Sequence, residues 1–220
     1  MKTFQELQEG VYDPNIFKAI YLAGGPGSGK SFVVRRTTGG TGLKIVNSDD
    51  AFEVMLKKAG LSLKMPPEEL ERKAVVRKKA KDITVKKHAN FVEGRLGMII
   101  DGTGRDAAKI LRSKTQLEEL GYDTYMIYVN TSLDVALQRN AERSRSLDEK
   151  IVVQSWKDVQ SNIGAFSNMF RQGFIVVDNN DASEDILKGI WKRVQGLLRK
   201  KVTNTRAKNW IAMELAKKRR

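Results

Sequence analysis

Lys30 and Ser31 stand directly behind Gly24-Gly25-Pro26-Gly27-Ser28-Gly29. The eight residues match the spacing G-x-x-x-x-G-K-[ST] of a phosphate-binding loop. The residue types follow from the chemistry. Glycine tolerates a curled backbone that turns successive N–H groups inward toward an anion. A helix opening behind the loop adds its free N–H groups and the positive end of its dipole. On this reading Gly25, Pro26, Gly27, Ser28, Gly29, Lys30, Ser31 and Phe32 hold the phosphates of ATP. Lys30 reaches the β- and γ-phosphates and the Ser31 hydroxyl ligates Mg²⁺. The plainer reading is a glycine-rich turn that binds nothing. It leaves the apolar run before the loop, the lysine and the hydroxyl unexplained.

Two further polar runs fall where such a loop would need them. Asn47-Ser48-Asp49-Asp50 follows the short apolar run 43–46. Asp101-Gly102-Thr103-Gly104-Arg105 follows the apolar run 96–100. Ligands of open parallel sheets sit outside the carboxyl ends of the strands, so these acids are expected on the rim that carries the loop. Ser48 or Asp49 could also serve only as the cap of a helix over 51–59. An acid that ends an apolar strand, as Asp101 does, suits a Mg²⁺ contact. Arg139 and Arg143 are four residues apart and share a face of a helix expected from Leu133 to about Arg145. They could stabilise charge on a transferring phosphoryl group or form a solvated basic face. Spacing leaves both open.

The elements that position these residues are short. Apolar runs at 19–23, 43–46, 96–101, 124–129 and 174–178 read as five strands. Helical patterns separate them, which implies an α/β fold, a three-layer sandwich around a parallel sheet with right-handed crossovers. Residues 68–93 read as one long charged helix, either a solvated face or a wall of the acceptor site. Its His88, the only histidine, is expected on the surface. In 183–199 the residues Ile186, Leu187, Ile190, Trp191, Val194 and Leu197 form an apolar stripe. Trp191 and Trp210 are read as packing residues. The expected organisation is a domain over 1–180 with a basic helical extension over 181–220 packed on it.

Composition narrows the classes. The chain has 220 residues and no cysteine, which excludes disulfides, thiolate nucleophiles and Cys-based zinc sites. No apolar run is long enough to span a membrane. The first residues lack the apolar core of a signal peptide, so a soluble, cytoplasmic protein is expected. The net charge is +14, which suggests a polyanionic partner. Residues 188–220 hold 12 Lys or Arg and one acid, Glu214, so most of the excess lies in the tail.

Taken in series, the loop at 24–31, Asn47-Ser48-Asp49-Asp50, Asp101–Arg105 and Arg139-Asn140-x-x-Arg143 resemble P-loop kinases of the zeta-toxin and bacteriophage polynucleotide 5′-kinase type. The resemblance covers residues 19–180. Zeta toxins share the acid-Gly-Thr-x-Arg segment and a later Gly-Tyr like Gly121-Tyr122. The polynucleotide kinases share Asn-x-Asp-Asp and Arg-Asn-x-x-Arg. The resemblance implies a P-loop NTPase fold with strand order 2-3-1-4-5. It implies Asp49 as general base toward the acceptor hydroxyl and Asp101 as a Mg²⁺-side or structural acid. It implies Arg143, assisted by Arg139, as lid arginines on the transferring phosphate. Asp50, Thr103 and Arg105 are candidates for acceptor binding. The polynucleotide kinases carry arginine where this chain has Ser48 and Phe52. The expected function is transfer of the γ-phosphate of ATP to a hydroxyl of nucleic acid, a 5′-hydroxyl or a hydroxymethylated base in DNA. The alternatives are a small-molecule kinase acting on a nucleotide or nucleotide sugar, and an ATP-dependent nucleic-acid-binding module that is no kinase. The sequence leaves the oligomeric state open.

Overall fold

The computed structural model describes residues 10–63, 66–143, 146–181 and 183–218. Its centre is a five-stranded parallel sheet: β1 Lys18–Ala23, β2 Lys44–Val46, β3 Met98–Asp101, β4 Asp123–Asn130 and β5 Phe174–Asp178. The strands lie in the order β2-β3-β1-β4-β5, as the resemblance implies. All six residues of β1 are buried. A central parallel strand is covered on both faces, so it reads as an unbroken apolar run.

Around the sheet, among the described residues, are α1 Lys30–Thr38, α2 Ser48–Lys58, α3 Leu70–Glu93, α4 Ala107–Glu119, α5 Leu133–Ala141, α6 Glu149–Ser161, α7 Ile163–Phe170, α8 Glu184–Leu198 and α9 Thr205–Lys218. Side chains alternate between the faces of a strand. Ile20, Leu22, Ile127 and Ile175 meet Val33 and Val34 of α1 and Leu187 and Val194 of α8. Ala19, Tyr21, Met126 and Tyr128 meet Leu117 of α4, Val159 of α6, Phe166 of α7 and Ala207 of α9. Helices α2 and α3 form a third cluster, with Phe52, Leu56 and Ala80 buried between them. The molecule has the P-loop kinase fold.

Register brings the carboxyl ends of the strands to one rim. Leu22 pairs with Asp101, Ala23 with Tyr128 and Asn130 with Asp178. Val46 pairs with Ile100, so Asn47 leaves the sheet beside Asp101. The phosphate loop and both acid runs therefore share that rim.

Several expectations need correction. Helix α2 starts at Ser48 and its cap is Asn47, not Ser48 or Asp49. Helix α5 ends at Ala141 with its cap at Glu142, so Arg143 lies beyond it, and Arg145 falls outside the described residues. Trp191 is 40 % exposed and Ile186 46 % exposed. The docked stripe of α8 runs through Leu187, Val194 and Leu198, and Trp191 lies on its flank. Trp210 does pack, edge-on against Phe17 at 5.6 Å. His88 is half-buried, and burial lowers its proton affinity.

Candidate active site

The phosphate loop leaves β1 at Gly24 and closes at Gly29, the N-cap of α1, which has left-handed φ and no side-chain cap. Gly27 has φ 79°, and a Cβ there would lie 2.1 Å from the Ala136 carbonyl oxygen of α5. Only glycine fits that approach. Asn179, just past β5, donates through Nδ2 to the Ser28 carbonyl at 2.7 Å and pins the loop from behind. Helix α6 passes in front: a Cβ on Gly25 would be 3.7 Å from Trp156 Cα. The Trp156 indole is fixed by donation to the Thr131 carbonyl at 2.8 Å.

Lys30 folds back over the loop. Its Nζ donates to the Gly24 carbonyl at 2.5 Å and lies 3.4 Å from that of Gly25. Burial is the main cause that holds its proton affinity below that of an ordinary lysine. Asp101 and Asp49 oppose that shift and Arg143 adds to it. Asp101, Asp49 and Arg143 thus all act on Lys30. An entering polyphosphate would oppose that shift.

Asn47 organises the acids. Its Oδ1 accepts from Asp49 N at 2.7 Å, capping α2. Its Nδ2 donates to Asp101 Oδ2 at 3.0 Å and to Asp50 Oδ1 at 3.2 Å. Burial raises the proton affinity of the Asp101 carboxyl; Lys30 opposes this, and Asp49 and Asp50 reinforce it. Asp50 is raised as well, first by burial, then by Glu53 and Asp49, with Lys87 opposing. Asp49 stands open in the first turn of α2, its side chain 56 % exposed. Its Oδ1 accepts from Arg77 Nη1 of α3 at 2.5 Å. Asn47 stood in the expected acid run and Arg77 in the helix read as a possible wall of the acceptor site, but neither was given a role of its own. An Asn before a helix is a capping signal, but no local pattern marks Arg77 among its basic neighbours.

The other expected residues divide. Thr103 is exposed, and its carbonyl accepts from Gly24 N at 2.9 Å, tying the turn after β3 to the phosphate loop. Arg105 turns to α6 and pairs with Asp158 at 2.9 Å. Arg139 donates to the carbonyls of Asn179 at 2.7 Å and Asn180 at 3.0 Å, behind the phosphate loop. Arg143 is exposed and close enough to lower the proton affinity of Lys30. Ser31 and Phe32 are exposed in the first turn of α1.

The residues fit ATP. The loop is a cradle that a side chain at Gly27 or Gly29 would fill, the latter through a Cβ 2.4 Å from Asn179 Nδ2. Ser28 Oγ is buried there with no hydrogen-bond partner among the described residues. No group of three His, Cys, Asp or Glu able to hold a metal occurs among the described residues. A Mg²⁺ ion would therefore rely on Ser31, Asp101 and phosphate oxygens, the usual manner for this ion.

A family described as AAA domain matches residues 20–165. The chain belongs to that family. The matched span of this AAA-domain chain runs from β1 into α7 and holds every residue of the candidate site except Asn179 and Asn180. Solved structures share the fold. A provisionally assigned kinase from Chloroflexus aurantiacus aligns with TM-score 0.53 and 17% identity, over 83% of this chain and 98% of that one. The AvrRxo1-ORF1:-ORF2 structure with ATP aligns with TM-score 0.56 and 14% identity, over 85% of this chain and 65% of that one. A chain of the Pnkp1/Rnl/Hen1 RNA repair complex aligns with TM-score 0.52 and 18% identity, over 69% of this chain and 47% of that one. No curated protein matches the sequence.

Proposed function

We propose that this chain is an ATP-dependent kinase of the zeta-toxin and polynucleotide-kinase type that transfers the γ-phosphate to a hydroxyl. The observation that carries the reading is Asp49, a carboxylate 56 % exposed in the first turn of α2, on the rim of the sheet that also carries the phosphate loop. A nucleotide switch has no use for a base on the acceptor side.

The phosphates of ATP lie along Gly25–Ser31. The acceptor hydroxyl approaches the γ-phosphorus in line and hydrogen-bonds to Asp49. Its oxygen forms the new P–O bond as the bond from the γ-phosphorus to the bridging oxygen breaks. Asp49 takes the proton and ADP carries away the electron pair. Lys30 and Arg143 offset the charge on the equatorial oxygens. Arg139, held on the loop after β5, supports the back of the phosphate loop. Mg²⁺, held by Ser31 and the Asp101 side of the site, would offset phosphate charge. Most of the rate enhancement comes from position and electrostatics.

We take a nucleic-acid hydroxyl as the acceptor, because two basic residues of α3 reach the acids, Arg77 pairing with Asp49 and Lys87 acting on Asp50. One observation favours the second reading, a nucleotide or nucleotide-sugar acceptor. The basic helix α9 packs on Gly121 and Phe17, which precede β4 and β1, so it lies at the amino ends of the strands, away from the site. The test is transfer of labelled γ-phosphate to 5′-hydroxyl oligonucleotides, hydroxymethylated duplex DNA, and a pool of nucleotides and nucleotide sugars. Label on a polymer is expected. Label only in the small-molecule pool would establish the second reading. ATP hydrolysis with label in neither would count against the kinase.

A further inference from the structure

The site at the carboxyl rim leaves the basic tail without a role. From Ile186 to Lys218 the only acid is Glu214, which pairs with Lys217 at 2.6 Å. The two acids at the start of α8 are also taken, Glu184 by Arg36 of α1 at 3.0 Å and Asp185 by Lys188 at 3.5 Å. Lys192, Arg199, Lys200 and Lys201 stand exposed.

Spacing decides where these charges lie. At 3.6 residues per turn, Lys188, Lys192, Gln195 and Arg199 fall on one outward stripe of α8. Leu187, Val194 and Leu198 hold the opposite side against the sheet. Trp191 borders the stripe and is 40 % exposed. Its flank is the one toward α1, where Glu184 bonds Arg36. On the other flank Arg193 donates to the Phe174 carbonyl of β5 at 3.0 Å. An open indole therefore lies beside a row of cations.

The chemistry of the pair selects among polyanions. An anionic membrane needs an apolar face to bury. The other exposed apolar residue of α8, Ile186, stands roughly 140° round the helix from Trp191, so the two form no such face. An acidic protein segment offers carboxylates without a repeating planar group. A duplex keeps its bases stacked inside and leaves the indole nothing to meet. A single nucleic-acid strand offers a phosphate and an unstacked base at every step.

We propose that the outward face of α8 is a binding surface for single-stranded nucleic acid, with Lys188, Lys192 and Arg199 on the phosphates and Trp191 stacked on a base. The helix runs about 20 Å from the rim of the phosphate loop toward the amino ends of the strands. The inference goes beyond the kinase reading and does not need it, since the stripe holds no residue of the candidate active site.

The test is fluorescence anisotropy of a labelled oligodeoxythymidine strand with the full chain, without ATP, over a range of salt. The comparison probes are an abasic strand and a duplex of the same length, and vesicles of phosphatidylserine and phosphatidylcholine. Binding of the strand is expected to fall steeply with salt. Lys192→Ala combined with Arg199→Ala should lower the slope of log K against log salt by about 1.4, the share of two phosphate contacts. Trp191→Ala should weaken binding of the strand by about 5–150-fold, with an unchanged thermal melt, and should bind the abasic strand as the parent does. Trp191→Phe, which keeps a ring, should keep part of the affinity. The proposal is overturned if Trp191→Ala binds oligodeoxythymidine as tightly as the parent, if the abasic strand binds as tightly as the base-bearing one, if the duplex is preferred, or if the vesicles are bound and the strand is not. Label transfer by a chain that fails these binding tests would sink this inference and leave the kinase standing. Strand binding that depends on Trp191, in a chain that transfers no label, would do the reverse.

Discussion

Asp49, Asp50 and Asp101 differ in what surrounds them. Asp50 and Asp101 hold their protons more tightly than ordinary carboxyls, chiefly because burial penalises the charged form. For Asp101 this sets the sign of a pH effect. The unfolded chain releases the proton at the ordinary value, and the folded chain keeps it to higher pH. Between the two values the folded state binds more protons, so stability falls as pH rises through that window and stays reduced above it. Asp101→Asn removes that penalty. It should melt above the parent at about pH 7, with the gap closing below the ordinary aspartate range near pH 3.9. Circular dichroism melts at the two pH values check this, and an unchanged gap would remove burial as the dominant influence. Asp49 is the exposed acid, and its role is kinetic. Asp49→Asn should fold and bind ATP while transfer falls on the order of 10²–10⁴-fold. Near-normal turnover would remove Asp49 from the role of base.

Among the elements, the phosphate loop depends on its fit against α5 as much as on its own glycines. Gly27→Ala would place a Cβ 2.1 Å from the Ala136 carbonyl oxygen at φ 79°. The loop must then shift, at a cost of roughly 1–3 kcal/mol. ATP binding should weaken by about 5–150-fold, following that cost. Gly40→Ala is the control: its φ is 74°, with nothing within 4 Å of the added Cβ. It carries the left-handed strain alone, about 1–2 kcal/mol, and ATP affinity should hold. Equal affinity in both variants would mean that the contact with α5 does not shape the loop. Helix α2 is organised by one side chain, since Asn47 caps it and binds Asp50 and Asp101.

At the scale of the molecule, the sheet separates two poles. The site lies at the carboxyl ends of the strands, and α9 closes the amino ends through Trp210, which meets Phe17 and the Arg95 guanidinium. Trp210→Ala should cost roughly 2–4 kcal/mol by loss of packing and leave kcat within about twofold. Trp191→Ala, on the exposed flank of α8, should change stability by less than about 0.5 kcal/mol. Denaturant melts with parallel kinetics check both. A comparable loss in the two variants would contradict the difference in their burial.

What was legible in the sequence is what depends on near neighbours. The phosphate loop, the five strands, the long α3 and the helical extension after 180 follow from glycine freedom and from apolar spacing, which are local properties. The placing of Asp49 and Asp101 on one rim followed as well, because both end apolar strands of a parallel sheet. The strand order came through the resemblance to P-loop kinases. Periodicity says which positions face inward; it does not say which helix stands opposite. Hence the Arg77–Asp49 pair, 28 residues apart, the Asn47–Asp101 bond, 54 apart, and the Arg139–Asn179 contact, 40 apart, were decided only by tertiary packing. The same reason misplaced Trp191 and His88. An apolar stripe does not fix its own centre, and a charged helix buries whichever residues its neighbours cover.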